Sequence, residues 1–392
     1  MAQEELNTQD VGDRLRIARA DAGITQADAA AEIDVARTTL VAIEKGQRRI
    51  RSDELHRLAR LYNTSVNALL RRESVYVDLV PRFRKLGTNT DEAADAAARL
   101  LADLVQAEVE LENVLGIRRT RNYPPERPIM PGDVRAQAEN DAMELRHWLG
   151  LGQAPVRDLI SILELDLGVR VYVRRVDPRI SGLFAYDEDL GACMLLNANH
   201  PRERRAQSGG HELGHLISTR RKAEILHTHE EENSREERYA NAFGRAFLTP
   251  TRTVMQRFRE ITEGASHLTR RHVILLAHAF GVSREAMVRR LEELALTKSG
   301  TWDWFAANGG ITDGQARQVL GDLIPHDIGK QDADRPTTLR LNLLAAEAWR
   351  QGLLSEGQLV RLLHLDRLGL REILDNVEIE GGEADGMPKL PE

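Results

Sequence analysis

A single cysteine, Cys193, stands among 392 residues, which excludes an intramolecular disulfide and any cysteine-rich metal site. A metal, if bound, must be held by His, Asp or Glu. No apolar run reaches the roughly 18 to 20 residues that a bilayer crossing needs. The opening MAQEELNTQDVGDRLR is polar and acidic where a secretory leader would be basic and then apolar. A cytoplasmic protein without membrane contact is expected. Cys193, on a short apolar run, reads as a buried core residue.

The chain is too long for one compact core, so two or three domains are expected, and an apolar share of 42% supplies material for them. The net charge of -7 argues against a polyanion partner only on average. Residues 11–72 hold twelve Lys or Arg against eight Asp or Glu, a balance of +4 that leaves -11 for the rest. A basic head on an acidic body suggests that one domain meets nucleic acid and the others do not.

Within that head, VGDRLRIARADAG repeats apolar residues at helical spacing and stops at Gly23. ITQADAAAEI follows with Thr25 as N-cap candidate. After the turn DVA, RTTLVAIEKG is a third helix ended by Gly46. Two short helices around a tight turn, the second opening with Arg37, Thr38 and Thr39, have the proportions of a helix-turn-helix. The run LRIARADAGITQADAAAEIDVARTTLVAIEKGQRRI, with LHRLARLYNTSVNALL after it, resembles the Xre-type phage-repressor DNA-binding domain over about sixty residues. That resemblance implies that Gln26, Arg37, Thr38 and Thr39 face a double-stranded operator, with Arg48 and Arg49 reaching phosphates.

Residues 89–116 form a helix pattern from a capping threonine to Gly116. Ala97, Leu100, Leu104, Ala107, Leu111 and Val114 make a narrow seam that suits docking on the chain's own core as well as pairing in a homodimer. Four prolines, at 124, 125, 128 and 131, then fall within eight residues. No helix or central strand survives that density, and a linker is expected.

Three short runs beyond it, LGVRVYV, ISGLFAY and CMLLN, read as strands feeding a helix, hence a small α+β unit. That helix carries GGHELGHLIS, residues 209–218. His211 and His215 are four apart and share one face, so two imidazoles can meet one tetrahedral zinc. Glu212 is too badly angled to ligate but is placed to take a proton from a water at the metal's open position. A hydrolytic zinc wants a third protein ligand. REERYANAFGRAFLTP, residues 235–250, carries an apolar stripe flanked by Glu236 and Glu237, and spacing alone does not separate the two carboxylates. Tyr186, His227 and His229 are weak candidates for an oxyanion stabiliser.

The strand pair closing on LLNAN, then HELGHLI, then Glu237-Arg-Tyr-Ala240-Asn241 ending in FLTP, resembles the ImmA/IrrE family of metallopeptidases over about residues 150–298. By that motif Glu237 is the third ligand, beside His211 and His215, with Glu212 catalytic and Zn2+ as cofactor. One departure is Gly209-Gly210, where members carry a bulkier pair. Further on, Trp302, Trp304 and Phe305 are expected core anchors, two or three amphipathic helices are expected between Thr337 and Leu370, and GGEADGMPKLPE reads as disordered.

The expected whole is a multidomain, mainly α chain. A helix-turn-helix bundle occupies 8–72, a helical spacer 73–117 and a Pro-rich linker 118–133. A central α+β, zincin-like domain with a small sheet follows at 134–298, then a C-terminal helical domain at 299–376 and an acidic tail at 377–392. The expected function is a DNA-binding regulator whose zinc endopeptidase cleaves a repressor, either a partner protein or its own linker. The alternative is a non-proteolytic transcription factor whose zinc domain senses a ligand or the metal.

Overall fold

Thr25 starts the second helix by accepting the Asp28 amide at 3.2 Å and donating its hydroxyl to the Asp28 carboxylate at 2.7 Å. In the computed structural model, which describes residues 8–62, 64, 66, 69, 92–220, 224–227, 234–321 and 338–378, that helix is α2, Gln26–Glu32. It lies between α1, Thr8–Asp21, and α3, Arg37–Glu44, with α4, Ser52–Leu61, completing the bundle. Leu15, Leu40, Ile43 and Leu58 are its buried centre. Gly12 lets α1 press on the end of α3, since a Cβ there would fall 2.5 Å from the Ile43 carbonyl oxygen. Gly46 ends α3 in the left-handed region at φ 67°.

The chain divides into two compact units, residues 1–77 with 108–118, and residues 78–107 with 119–392. Helix α5, Glu92–Leu115, contributes to both. Its buried residues include Ala94, Ala98, Leu101 and Val105 besides Ala97, Leu104, Ala107 and Leu111. The burial spans far more than a coiled-coil seam, so the chain itself covers this face. The threonine expected to cap it, His229, Thr337 and the chain after residue 378 lie outside the described residues.

In the second unit, α6, Val134–Trp148, precedes β1, Arg170–Arg174, β2, Ile180–Asp187, and β3, Gly191–Asn197. Next come α7, Arg202–Ser218, β4, Glu224–His227, and α8, Arg235–Leu248. The sheet order is β1-β3-β2-β4. β1 runs parallel to β3, and β2 runs antiparallel to both β3 and β4. The sheet packs on α7, α7 on α8, and α8 on α6. Phe184, Met194, Leu196, Leu213, Phe243 and Phe247 are part of the core between these layers.

Arg170 and Arg174, both on β1, are buried. Arg170 donates to the Leu190 carbonyl and Arg174 to that of Leu363. The covering chain comes from the C-terminal helices α14, Leu339–Arg350, α15, Glu356–Leu362, and α16, Arg367–Glu378, which follow α9, Thr251–Thr262, α10, Arg270–Phe280, α11, Arg284–Glu293, α12, Thr301–Ala307, and α13, Asp313–Leu320. Thr338, just before α14, donates its hydroxyl to the Val171 carbonyl at 2.6 Å. Of the expected aromatic anchors, Phe305 is buried and Trp302 packs against its cluster, but Trp304 is 56% exposed. Residues 302 and 305 share a helical face and 304 does not.

The proline-dense segment forms neither helix nor strand, as its composition dictates, but it is bonded along the second unit. Arg119 donates to the Gly168 and Val169 carbonyls. The Asn122 amide donates to Leu167 O and the Arg127 amide to Ile217 O. Tyr123 accepts from the Ala192 amide, and Arg220 donates to Pro124 O. Gly168, at φ 71°, makes the crossing feasible, because a Cβ there would lie 2.2 Å from Thr120 O.

The crossing of α7 and α8 leaves room for no side chain. A Cβ on Gly244 would fall 2.8 Å from the Gly210 carbonyl carbon and the His211 nitrogen. Gly244→Ala should therefore cost about 1–3 kcal/mol by overpacking, read as a lower urea midpoint. Gly357 in α15 has nothing within 4 Å of its would-be Cβ, and Gly357→Ala should stabilise by about 0.5–1 kcal/mol. Equal responses at both positions would refute the close crossing.

Candidate metal centre and nucleic-acid interface

His211 and His215 follow each other by one turn of α7, and their Nε2 atoms lie 3.0 Å apart. The Glu237 carboxylate, from the first turn of α8, completes the group, with Oε2 3.2 Å from His211 Nε2 and Oε1 3.3 Å from His215 Nε2. One ligand atom from each of the three residues lies within 4.8 Å of the others. Glu236 shares that first turn, but the carboxylate that meets both imidazoles is that of Glu237. Ser234 sets the start of α8 by accepting the Glu237 amide at 3.0 Å.

Each imidazole is steered by its other nitrogen. His211 Nδ1 lies 2.9 Å from Asn241 Oδ1 and His215 Nδ1 3.1 Å from Thr219 Oγ1. An amide oxygen only accepts, so His211 carries its proton on Nδ1 and turns a bare Nε2 to the centre. Asn241 is four residues after Glu237, so one face of α8 supplies both a ligand candidate and a positioning group. The spacing could have revealed that role from sequence. Thr219 and Gly182 gave no such signal.

Burial acts to lower the His211 pKa, but Glu237, Glu212 and Asn241 together raise it above the usual imidazole value. Burial likewise acts to raise the Glu237 pKa, and the two imidazoles outweigh it, holding the carboxyl far below the usual range. A carboxylate held ionised between two imidazoles with converging Nε2 atoms is the donor set of a zinc site with three protein ligands. The residues fit the metal.

Glu212 projects from α7 toward the sheet and is fully buried. A Cβ on Gly182 of β2 would lie 3.3 Å from its Oε1, so the missing side chain makes room for the carboxylate. Gly209 and Gly210 have a local reason as well. Gly210 meets Gly244, and Gly209 packs under Leu159 and Leu163. Tyr186 is turned to the bonded segment, its ring 6.4 Å from that of Tyr123, and Arg220 lies over both rings.

In the head, Gln26 is held from two sides. Its Nε2 donates to Glu44 at 2.9 Å, and its Oε1 accepts from Arg37 at 3.3 Å. Arg19 secures Glu44 at 2.6 Å. Arg37, Thr38 and Arg49 are exposed and Thr39 is half-buried. Arg48 is committed elsewhere, its guanidinium donating to both oxygens of Glu54 at 3.0 and 2.8 Å. Glu54 also accepts the Arg51 amide at 2.9 Å. A phosphate contact from Arg48 would share its guanidinium with that pair.

A small α+β domain bearing this triad, with a glutamate between its histidines, is metallopeptidase-like. Residues 165–292 match the family model of the IrrE N-terminal-like domain, Peptidase_M78, and residues 10–72 match a helix-turn-helix domain. The chain thus joins an N-terminal helix-turn-helix domain to an ImmA/IrrE-type domain, and is a regulator with a protease-like domain. No curated protein matches it. A solved structure of ComR from Streptococcus suis aligns at 9% identity over 96% of this chain and 97% of that chain, with a TM-score of 0.16, too low to carry an argument. Among the described residues no helix is long and apolar enough to cross a membrane.

Two outcomes follow from the steering bonds. Asn241→Ala should weaken zinc binding by about 10- to 100-fold, measured by competition with a chelator, and unchanged affinity would remove Asn241 from the site. In the head, hydrogen bonding to Arg48 holds the Glu54 carboxyl below its usual value. Its stabilisation is complete above the unfolded carboxyl value of about 4.3 and is lost as pH falls through the lower folded value. Glu54→Gln should cost about 1 kcal/mol at neutral pH and little in strong acid, and a pH-independent cost would contradict this.

Proposed function

We propose that the protein is a DNA-binding transcriptional regulator whose second unit is a zinc-dependent endopeptidase acting on a repressor protein. The observation that carries the reading is the convergence of His211, His215 and Glu237 on one point, with Glu212 on the same helix as the imidazoles. His211, His215 and Glu237 would hold the metal, which when bound supplies a Lewis acid for the substrate carbonyl and acidifies a nearby water. Glu212 takes the proton of the attacking water and returns it to the departing amine. Asn241 and Thr219 keep both imidazoles aimed. In the head, Arg37, Thr38 and Thr39 at the start of α3 meet the major groove, Gln26 fixes the Arg37 side chain, and Arg49 reaches phosphate.

A separate repressor suits the structure better as substrate than residues 118–133. A scissile peptide must be extended and free to enter the site, whereas this segment is held by its backbone to Leu167 and Ile217 and by side chains along its length. The sensing alternative has one observation in its favour, the complete burial of Glu212.

Glu212→Gln separates the two readings. With zinc retained, a peptidase loses repressor cleavage and derepression by about 100-fold or more, while a sensor keeps its response. Full derepression by a zinc-loaded Glu212→Gln protein would falsify the peptidase reading. Incubated wild-type chain should yield no fragment cut within 118–133 on a gel, and such a fragment would restore self-cleavage.

A further inference from the structure

A peptidase base has to meet the water that attacks its substrate, yet Glu212 and His215 have no exposure and His211 has 4%. The Glu237 side chain keeps 18%, so the centre opens on the side of α8 and is shut on the side of Glu212 and the sheet. Gly182, against the Glu212 carboxylate, lies on β2, and its partner on the outer side is Leu226 of β4. β4 is therefore the strand level with the base.

We propose that β4 is an internal stand-in for substrate, occupying the place beside β2 where an extended peptide binds, and that a substrate enters by strand exchange. The proposal rests on the peptidase reading. Extended peptides bind sheet edges through main-chain hydrogen bonds, and adjacent strands are about 4.8 Å apart. A peptide in the β4 position is one spacing from Gly182 and the base. A peptide added outside β4 is about 10 Å away, beyond the roughly 3 Å reach that proton transfer needs, even through one water. Of these two strand positions, only the one that β4 holds brings a peptide to the base.

β4 is built to leave. It has four residues, it is an edge strand among the described residues, and its register against β2 is broken between Ile180 and Gly182. It lies in the chain between the two ligand helices, but those helices do not depend on it. They meet directly where Gly210 faces Gly244 and Gly214 faces Ala240. The strand can depart with His211, His215 and Glu237 still in place. An unstructured segment of a repressor, at least four residues long and free of proline at the paired positions, is the matching substrate class.

The test uses the full-length, zinc-loaded chain and a tetrapeptide hydroxamate as probe. By hydrogen exchange with mass spectrometry, saturating hydroxamate should strip protection from residues 224–227 while 180–187 keep theirs. Successive amides of a strand point to opposite sides, so Ile225→Pro with Leu226→Pro removes whichever of the two faces β2. With one zinc per chain retained, that variant should bind the hydroxamate at least about tenfold tighter. Residues 224–227 that keep or gain protection in the wild-type complex, or equal affinity in a folded variant, overturn the strand exchange and leave the peptidase reading standing. A zinc-loaded wild type and variant that both refuse the hydroxamate overturn the two together. If the variant fails to fold, the exchange experiment on the wild type decides alone.

Discussion

The close crossing of α7 and α8 is the constraint on which the centre depends. The two histidines come from one helix and the third ligand candidate from the other, so the distance between helix axes sets whether three donors reach one point. Gly210 against Gly244, and Gly214 against Ala240, bring the backbones nearer than a side chain at any of the three glycines would allow. One bulky pair before the HELGH string would tilt α7 away from α8. The departure Gly209-Gly210 is thus a geometric requirement of this chain's own packing, with Gly209 fitted under Leu159 and Leu163.

Polar side chains then hold α8 at both ends. At its start Arg235 donates to the carbonyl of Gly132 in the bonded segment, and Tyr239 donates to buried Asp141 of α6 at 2.8 Å. At its end two arginines gather carbonyls that the helix itself leaves unpaired. Arg146 donates to Phe247 O and to Gly152 O, and Arg290 to Thr249 O. Arg146 has no exposure, and burial draws its pKa down to about 10, so it remains charged at neutral pH. A guanidinium surrounded by carbonyl dipoles and laid on the Phe247 ring, 5.7 Å from its centroid, is a tolerable buried charge because its donors are satisfied. These contacts come from α6, the loop after it and α11, which explains why the centre needs a domain much longer than its motif.

Sequence showed what depends on spacing. The histidine pair, the helix-turn-helix and Thr25 as a cap are local patterns, and local patterns are what periodicity reports, whereas spacing left Glu236 and Glu237 open and the choice of Glu237 came from the family resemblance. What it missed depends on the far partner. The burial of Arg174 rests on the Leu363 carbonyl, 189 residues further along the chain. The pairing of Arg48 with Glu54, six residues on, likewise shows only in the folded chain. The proline density correctly forbids regular structure in 118–133, but composition does not reveal that Gly168 offers a seat and Leu167 and Ile217 offer acceptors. Trp304 shares its sequence neighbourhood with Phe305 and not its helical face. Trp304 apart, where the helical face decides, these are partners that a local reading does not show, and the sheet edge is the largest case, since no feature of Glu224–His227 by itself says which strand it joins.

Holding the ligands and admitting a substrate are separate tasks here, carried by separate contacts. The ligand helices are joined backbone to backbone, and their crossing is as costly to disturb as a core. Among the described residues the strand beside the base is short, irregularly registered and at an edge, which are the marks of a low local stability. A domain arranged this way would keep a bound metal whether or not the base is accessible. On the peptidase reading proposed above, it would act only toward chains able to displace the resident strand, and with that strand in place it would be the closed domain that the sensing alternative describes. The two functional readings then differ in one physical quantity, the free energy of releasing β4 relative to that of pairing a repressor segment in its place.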